Sequence, residues 1–396
     1  MEESKSKSIN IPDFLNFEKY IPHYLYLQKS PEDTKYFINS TLNCLTNMKS
    51  FLEYLYNIYN NDLPEEFFVL KQNIKQMYTN IKEENKKEEK NNINNNLNIE
   101  EEINNKKDKM INLEFNTNEL TKYILIKLIP FKNNSKNHDP RLLIDCILHL
   151  WIEKNLEQEK SISDLNYLDI DDDNSLEVFN KSFIKSYIYK SNKPEMQRIN
   201  IIFKNIQNCP NCKKISEFYK TLPTLHFYLM PNLEKEYTLI DCFKEYIRKE
   251  NKETEYICSQ CSKICHNSEN IFIEFPEQMI ILIYYENIEN NYQNFFYSFE
   301  EILDFSNSDF VDKNVKLKKY FLSSFILCKY PKNEDEFFYT LCRKDKESSF
   351  LIYNNNEDKV REHGKIIKRQ IKRLKNSNYD EKQSFPYVLI YTAFDY

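Results

Sequence analysis

Two short cysteine motifs, Cys209-Pro-Asn-Cys212 and Cys258-Ser-Gln-Cys261, constrain this chain more than anything else in its 396 residues. Two residues between two thiols is the spacing at which one tight turn presents both sulfurs to a single tetrahedral ion, at about 2.3 Å each. Two such knuckles complete a shell of four. Four soft thiolates with no carboxylate and no open position favour structural Zn²⁺ over a catalytic metal. Cys212 and Cys258 are 46 positions apart, with a strand-like and a helix-like segment between them, so the knuckles are expected at the tips of long hairpins. The alternative is four reduced, unmetallated thiols left by a decayed site. Cys265 and His266 follow the second knuckle and could substitute as ligands, though an extra thiol near such a tip is more often incidental. Cys242, on an apolar helix face, reads as a core thiol.

The chain holds one glycine, Gly364. That excludes glycine-rich phosphate loops and dinucleotide fingerprints, which need several glycines for close backbone approach. Hydrophobic residues make up 41%, with 29 Tyr and 28 Phe, enough aromatic mass for a sizeable core. A formal net charge of -6 gives no general reason to expect nucleic acid as the main partner. No run of about 18 apolar residues suggests a membrane span, and the first forty residues lack the apolar region of a secretory signal. An intracellular protein, cytoplasmic or nuclear, is therefore expected, with its ten cysteines serving metal and core instead of disulfides.

Apolar residues at three and four spacing, Phe37, Leu42, Leu45, Met48, Phe51, Leu52 and Leu55, predict a buried helix over 34–60. Residues 82–109 are low in complexity and poor in core formers, and read as an inserted segment. Arg141 to Asn155 predicts a second amphipathic helix that includes Trp151, with Pro140 in its first turn. After residue 180 the texture changes to short β-prone runs: FIKSYIYK, INIIF, TLHFYLM, NIFIEF, MIILIYY, YFLSSFIL, FFYTLC, FLIYN and YVLIY. One helix, Thr238 to Lys249, interrupts them. Helices first and an antiparallel sheet afterwards is an α+β arrangement.

From about residue 26 onward the chain resembles the ubiquitin-specific proteases, papain-like hydrolases with thumb, fingers and palm. That family opens on Gly-Asn-Thr-Cys-Tyr-Met-Asn-Ser-x-Leu-Gln-x-Leu; here stands Asp33-Thr34-Lys35-Tyr36-Phe37-Ile38-Asn39-Ser40-Thr41-Leu42-Asn43-Cys44-Leu45. Asn137-His138-Asp139-Pro140 looks like the Gln-Gln-Asp-Ala box, with Asp139 matched. The two cysteine pairs, the Thr221 to Leu229 strand, the Leu239-Ile240-Asp241-Cys242-Phe243 helix and Tyr256 resemble the fingers. Met279 to Leu282 resembles a palm strand, although Tyr284-Tyr285-Glu286 stand where Lys-Arg-Phe is usual, and Tyr387-Val388-Leu389-Ile390-Tyr391 resembles the closing strand.

The resemblance implies a tail over 1–25 and a protease-like domain over 26–396. That domain comprises a helical thumb over 26–165, zinc-ribbon fingers over 180–275, and an antiparallel palm over 276–396 with a basic insert at 362–380. It also implies a degenerate catalytic site. Tyr36 stands at the nucleophilic cysteine, and a phenol with a pKa near 10 does not replace a histidine-activated thiol. Pro31 stands at the oxyanion-stabilising asparagine and has no N–H to donate. Phe338 stands at the histidine and cannot take a proton. Asn355, at the third position, has no imidazole to orient, and Asp33 replaces a turn glycine. The first cysteine of the chain, Cys44, lies eight residues along the helix, about 12 Å past its head at 1.5 Å per residue.

The expectation is therefore no thiol at the head of the helix and no imidazole on the facing sheet. The chain would be an inactive homologue that binds ubiquitin or a ubiquitin-like protein, or a scaffold among complex subunits, with RNA processing as one setting. Lys365 to Lys375 (KIIKRQIKRLK) offers RNA a surface or serves as a nuclear signal, although a solvated helical face is the commoner role of such a run. The competing expectation is an active cysteine-type deubiquitinase that hydrolyses ubiquitin isopeptide bonds.

Overall fold

The computed structural model describes residues 25–27, 36–48, 50–52, 55, 68, 71–72, 113–115, 124, 139–157, 198–230, 236–253, 255–266, 268–288, 296–306, 308–312, 319–330, 338–343, 349–353, 361–364 and 383–394. The tail over 1–24, the insert over 82–109, the FIKSYIYK run, Pro31, Asn355 and the Lys365–Lys375 run lie outside them. Contacts divide the chain into two units, Met1–Pro31 with Thr46–Asn133, and Glu32–Leu45 with Asn134–Tyr396. In the first, β1 (Leu25–Leu27) runs parallel to β2 (Leu113–Phe115), Leu25 opposite Leu113, and Met48, Phe51, Leu52, Leu55 and Ile124 are buried.

The second unit begins with α1 (Tyr36–Thr46). One helix was expected over 34–60. α1 ends at Thr46 and residues 50–52 and 55 are helical again, so the expected helix is interrupted after Thr46, where Thr46 and Asn47 both favour local side-chain hydrogen bonding over helix continuation. Phe37, Ile38, Leu42, Cys44 and Leu45 are buried, and so are Asn39, Ser40, Thr41 and Asn43. A helix buried round its whole circumference belongs inside a core, not on a surface. Next comes α2 (Pro140–Glu157), with Asp139 as its cap: Asp139 Oδ1 accepts from the Arg141 backbone N–H at 2.8 Å, and Pro140 takes the first helical position. Leu143, Ile144, Ile147 and Leu148 form its buried stripe.

A three-stranded sheet follows. The hairpin of β3 (Ile201–Asn208) and β4 (Ile215–Leu222) runs in unbroken register from Ile201 opposite Leu222 to Asn208 opposite Ile215. After Pro223 the chain switches sheets into β5 (Thr224–Leu229). A short strand, β6 (Glu236–Thr238), leads into α3 (Leu239–Glu253). Thr238 Oγ1 accepts from the Asp241 N–H at 3.1 Å, while Asp241 Oδ2 accepts from the Thr238 N–H at 3.4 Å, a reciprocal cap that sets the start of α3. The small hairpin β7 (Tyr256–Ile257) and β8 (Ile264–Cys265) carries the second knuckle, and β9 (Ser268–Glu274) returns beside β3. The first knuckle sits on a long hairpin as expected. The second sits on one with two residues per strand, because the chain turns back at once to form β9.

The main sheet uses β10 (Gln278–Tyr285), β11 (Phe296–Ser298), which pairs with β6 outside it, β12 (Ile302–Asp304), β13 (Lys319–Tyr330), β14 (Phe338–Arg343), β15 (Ser349–Tyr353), β16 (Arg361–Gly364) and β17 (Gln383–Phe394). Its order is β16-β15-β14-β13-β17-β10-β5, with β12 beside β13. The strands of this sheet that lie in 276–396 pair antiparallel, as expected of the palm; the sheet as a whole is mixed, because β5, from the stretch expected to form the fingers, runs parallel to β10, Ile280 opposite Thr224 through Tyr285 opposite Leu229. The crossover through α3, the second knuckle and β9 is long enough to return the chain in the same direction. Pro386 in β17 is tolerated because it falls at a register shift opposite β13, where Tyr387 is the extra residue.

Phe243 of α3 locks these layers. Its ring meets Phe227 edge-on at 5.1 Å, Phe305 at 5.0 Å and Phe272 at 5.6 Å, and stacks on Phe310 at 5.9 Å. Phe243→Ala is expected to cost about 3–5 kcal/mol of global stability in urea unfolding, and Phe243→Leu clearly less. Equal losses for the two would show that the ring contacts do not matter.

Candidate metal centre

The two knuckles repeat one turn. Cys209 N–H donates to Lys214 O at 2.9 Å and Lys213 N–H to Cys209 O at 2.9 Å; Cys258 N–H donates to Lys263 O at 3.0 Å and Ser262 N–H to Cys258 O at 2.8 Å. Lys213 and Ser262 take φ of 62° and 57°, the left-handed region that favours glycine. In a chain so poor in glycine the turns accept roughly 1–2 kcal/mol of strain at each of these residues. The turns gain converging sulfurs in return. Sγ of Cys209 and Cys261 are 3.5 Å apart, as are those of Cys212 and Cys258, and all four lie within 4.8 Å of one another.

Four sulfurs bound at about 2.3 Å to one tetrahedral ion stand about 3.8 Å apart, so the spacing suits a metal ion. The Cys212 and Asn211 backbone N–H groups lower the Cys209 pKa to about 5, and those of Cys261 and Gln260 lower that of Cys258; the Lys214 and Lys263 N–H groups act the same way on Cys212 and Cys261, but burial and the neighbouring sulfurs outweigh them and leave the second thiol of each knuckle raised. Tyr256 packs against the cluster. Burial, followed by the Cys265 sulfur beside its hydroxyl and by the Cys209 and Cys258 sulfurs, pushes its pKa up to about 12. The centre offers no open coordination position, so the chemistry a metal would supply is crosslinking.

Tyr36 is the first residue of α1 and Phe338 the first of β14; their side chains lie outside the described ones. Thr340 Oγ1 donates to Ser40 O at 2.9 Å. This bond joins α1 to β14, the elements that Tyr36 and Phe338 open. Cys44 is fully buried in that region with Sγ 3.3 Å from Ser324 Oγ, and burial pushes its pKa up to about 12.

The sheet does carry an imidazole, which sequence reasoning missed. His226 on β5 has Nε2 3.1 Å from Thr224 Oγ1 and 3.4 Å from Asp145 Oδ2 of α2. Its ring lies 5.5 Å from Tyr284, which stacks on Tyr228 at 5.0 Å. His266 is exposed beside Glu255. Among the described residues, neither histidine side chain meets a thiol. Also missed was Arg141. Its guanidinium lies 4.4 Å from the Tyr284 ring and 3.9 Å from Tyr387, and Nε donates to both Asp139 carboxylate oxygens at 3.0 Å. Asp139 is thus spent on capping α2 and pairing Arg141.

No protein-family model matches the chain, and no curated protein matches it. Among solved structures it is similar to a SAGA DUB module, Ubp8 with Sgf11, Sus1 and Sgf73, bound to monoubiquitin, at 13% identity and a TM-score of 0.46, over 95% of this chain and 70% of that one.

Elemental analysis of the purified chain is expected to find about one metal ion per molecule, with more thiols reacting after a chelator removes it; well under one equivalent contradicts the centre. Arg141→Ala is expected to cost about 2–4 kcal/mol of thermal or urea stability. Arg141→Lys should rescue little, because an ammonium cannot make the fork and the two ring contacts together.

Proposed function

We propose that this chain is a non-catalytic relative of the ubiquitin-specific proteases, a module that binds ubiquitin or a ubiquitin-like protein or serves as a scaffold in a larger complex. Its fingers are held by structural Zn²⁺. The reading is supported first by the residues that open α1 and β14. An amide-cleaving thiol enzyme needs a sulfur nucleophile and a base within hydrogen-bonding reach. Tyr36 heads the helix and Phe338 opens the strand, and neither can fill its role.

The remaining thiols support the same reading. Cys44 is fully buried with a raised pKa, and Cys146 on α2 is raised by burial and by Asp145. Neither suits the thiolate form that attack requires. The four-thiol finger, which has no catalytic position, is the part of the family pattern that this chain keeps. Asp139, neutralised by Arg141, leaves little charge to offer a partner's tail. The body of a ubiquitin-like partner, resting on fingers and sheet, is the contact this reading favours.

The test uses the intact chain. A fluorogenic ubiquitin C-terminal substrate is expected to show no turnover above buffer, and a ubiquitin vinyl-sulfone probe no adduct on any cysteine by mass spectrometry. Tyr36→Cys alone should not create turnover, since Phe338 still cannot accept the proton. Turnover or an adduct in the wild-type chain would establish the active deubiquitinase instead.

A further inference from the structure

Both knuckles end alike. Cys209 to Ile215 reads Cys-Pro-Asn-Cys-Lys-Lys-Ile and Cys258 to Ile264 reads Cys-Ser-Gln-Cys-Ser-Lys-Ile, so a lysine and then an isoleucine follow each pair of thiols at the same distance. Neither isoleucine joins the core. Ile215 is 60% exposed and Ile264 63%, and Ile257, the register partner of Ile264 across β7 and β8, is 70% exposed. Tyr256 and Cys265, the other pair of that hairpin, pack on the metal cluster, so alternation turns Ile257 and Ile264 away from it as one cross-strand pair. Among the described residues six large apolar side chains are exposed to this degree, and three of them gather at this tip. Single ones need no explanation, but a gathering does.

The charges around them share a sign. No acidic residue falls between Asn208 and Ser216 or between Tyr256 and His266, and Glu255, just before, is beside His266. Lys213 and Lys263 are exposed, and among the described residues neither meets a carboxylate. Lys263 Nζ reaches Asn211 Oδ1 at 3.5 Å, so the two turns make one tip. With Lys214 they are three cations, more than the two negative charges that four thiolates leave on a divalent ion. Aliphatic side chains ringed by lysine are poorly suited to a protein contact, where aromatics and Arg are enriched and Lys is depleted. They suit an anionic bilayer, whose headgroup boundary takes apolar groups while ammonium groups stay at the phosphates.

We propose that the fingertip is a peripheral membrane-docking surface: Ile215, Ile257 and Ile264 enter an anionic leaflet, and Lys213 and Lys263 meet its headgroups. No helix among the described residues is long and apolar enough to cross a membrane, so the attachment is to the surface alone. The proposal goes beyond the ubiquitin-binding reading and does not depend on it.

The experiment sediments the full, metal-loaded chain with vesicles of phosphatidylcholine alone, and with vesicles in which about one-third of the lipid is phosphatidylserine. Binding to the second and not the first is expected, and it should weaken as salt is raised. I257S/I264S and K213E/K263E are each expected to lose about tenfold in lipid affinity. Y228S/M230S, which alters exposed residues at the end of β5, should keep it. Metal content equal to the wild type shows that the variants retain the tip. A chain that does not sediment with anionic vesicles overturns the proposal and leaves the tip to an acidic protein surface. Binding unchanged in I257S/I264S overturns it too, as charge attraction alone. Ile264→Trp gives an independent reading: relative to the wild type, which has Trp151, its emission is expected to move to shorter wavelength on anionic vesicles, and no movement overturns the proposal. None of these outcomes bears on turnover of ubiquitin substrates, so failure here is distinct from failure of the non-catalytic reading.

Discussion

The main sheet depends on a strand that arrives last. β17 lies between β10 and β13, pairing Met279 with Tyr391 on one side and Phe325 with Leu389 on the other. Without it the sheet is two separate pieces. Pairing of this kind is non-local, and its loop-closure cost must be met before the contacts reward it. The strand compensates by burying Phe385, Tyr387, Val388, Leu389, Ile390 and Tyr391 in one run, the pattern of a strand covered on both faces. Hydrogen bonds from buried phenols fasten the same layers: Tyr320 to Pro276 O at 2.6 Å and Tyr285 to Pro386 O at 2.8 Å. α1 is fixed to the sheet by Thr340 and Cys44.

The fingers solve a different problem. The β3–β4 and β7–β8 hairpins end in two turns whose left-handed residues are lysine and serine, in a chain with a single glycine. Strain at those turns is sustained where something holds the turns together. Four thiols, two of them acidified by knuckle N–H groups, are suited to that task. Tyr256 and Cys265 pack against the same sulfurs.

Much of this was legible in the residues. The four thiols meet as their spacing predicts, Pro140 opens α2, Thr238 caps α3, and the β-prone runs after residue 198 are strands. What escaped detection depended on distant partners. The end of α1 is set by local side-chain competition at Thr46 and Asn47 that a continuous apolar pattern concealed. β4 was missed because its Ile-Ser-Glu-Phe-Tyr-Lys alternation at the sheet edge carries few apolar residues. The parallel pairing of β5 follows from the length of the crossover, which local pattern does not encode. Arg141 between Tyr284 and Tyr387, and His226 beside Asp145, join residues that are 81 or more positions apart and belong to four elements. Inward Cys265 looked incidental because its neighbour, Cys209, is 56 residues away.

The proposal is chemical: the chain would lack both the attacking sulfur and the proton carrier of an amide-cleaving site. A crystal structure of the metal-loaded chain at a resolution that fixes every side chain tests it most directly. The account requires the groove at the head of α1 to be bordered by Tyr36 and Phe338, with no cysteine sulfur facing an imidazole nitrogen anywhere on its walls. A thiol and a histidine ring in hydrogen-bonding contact in that groove would contradict it.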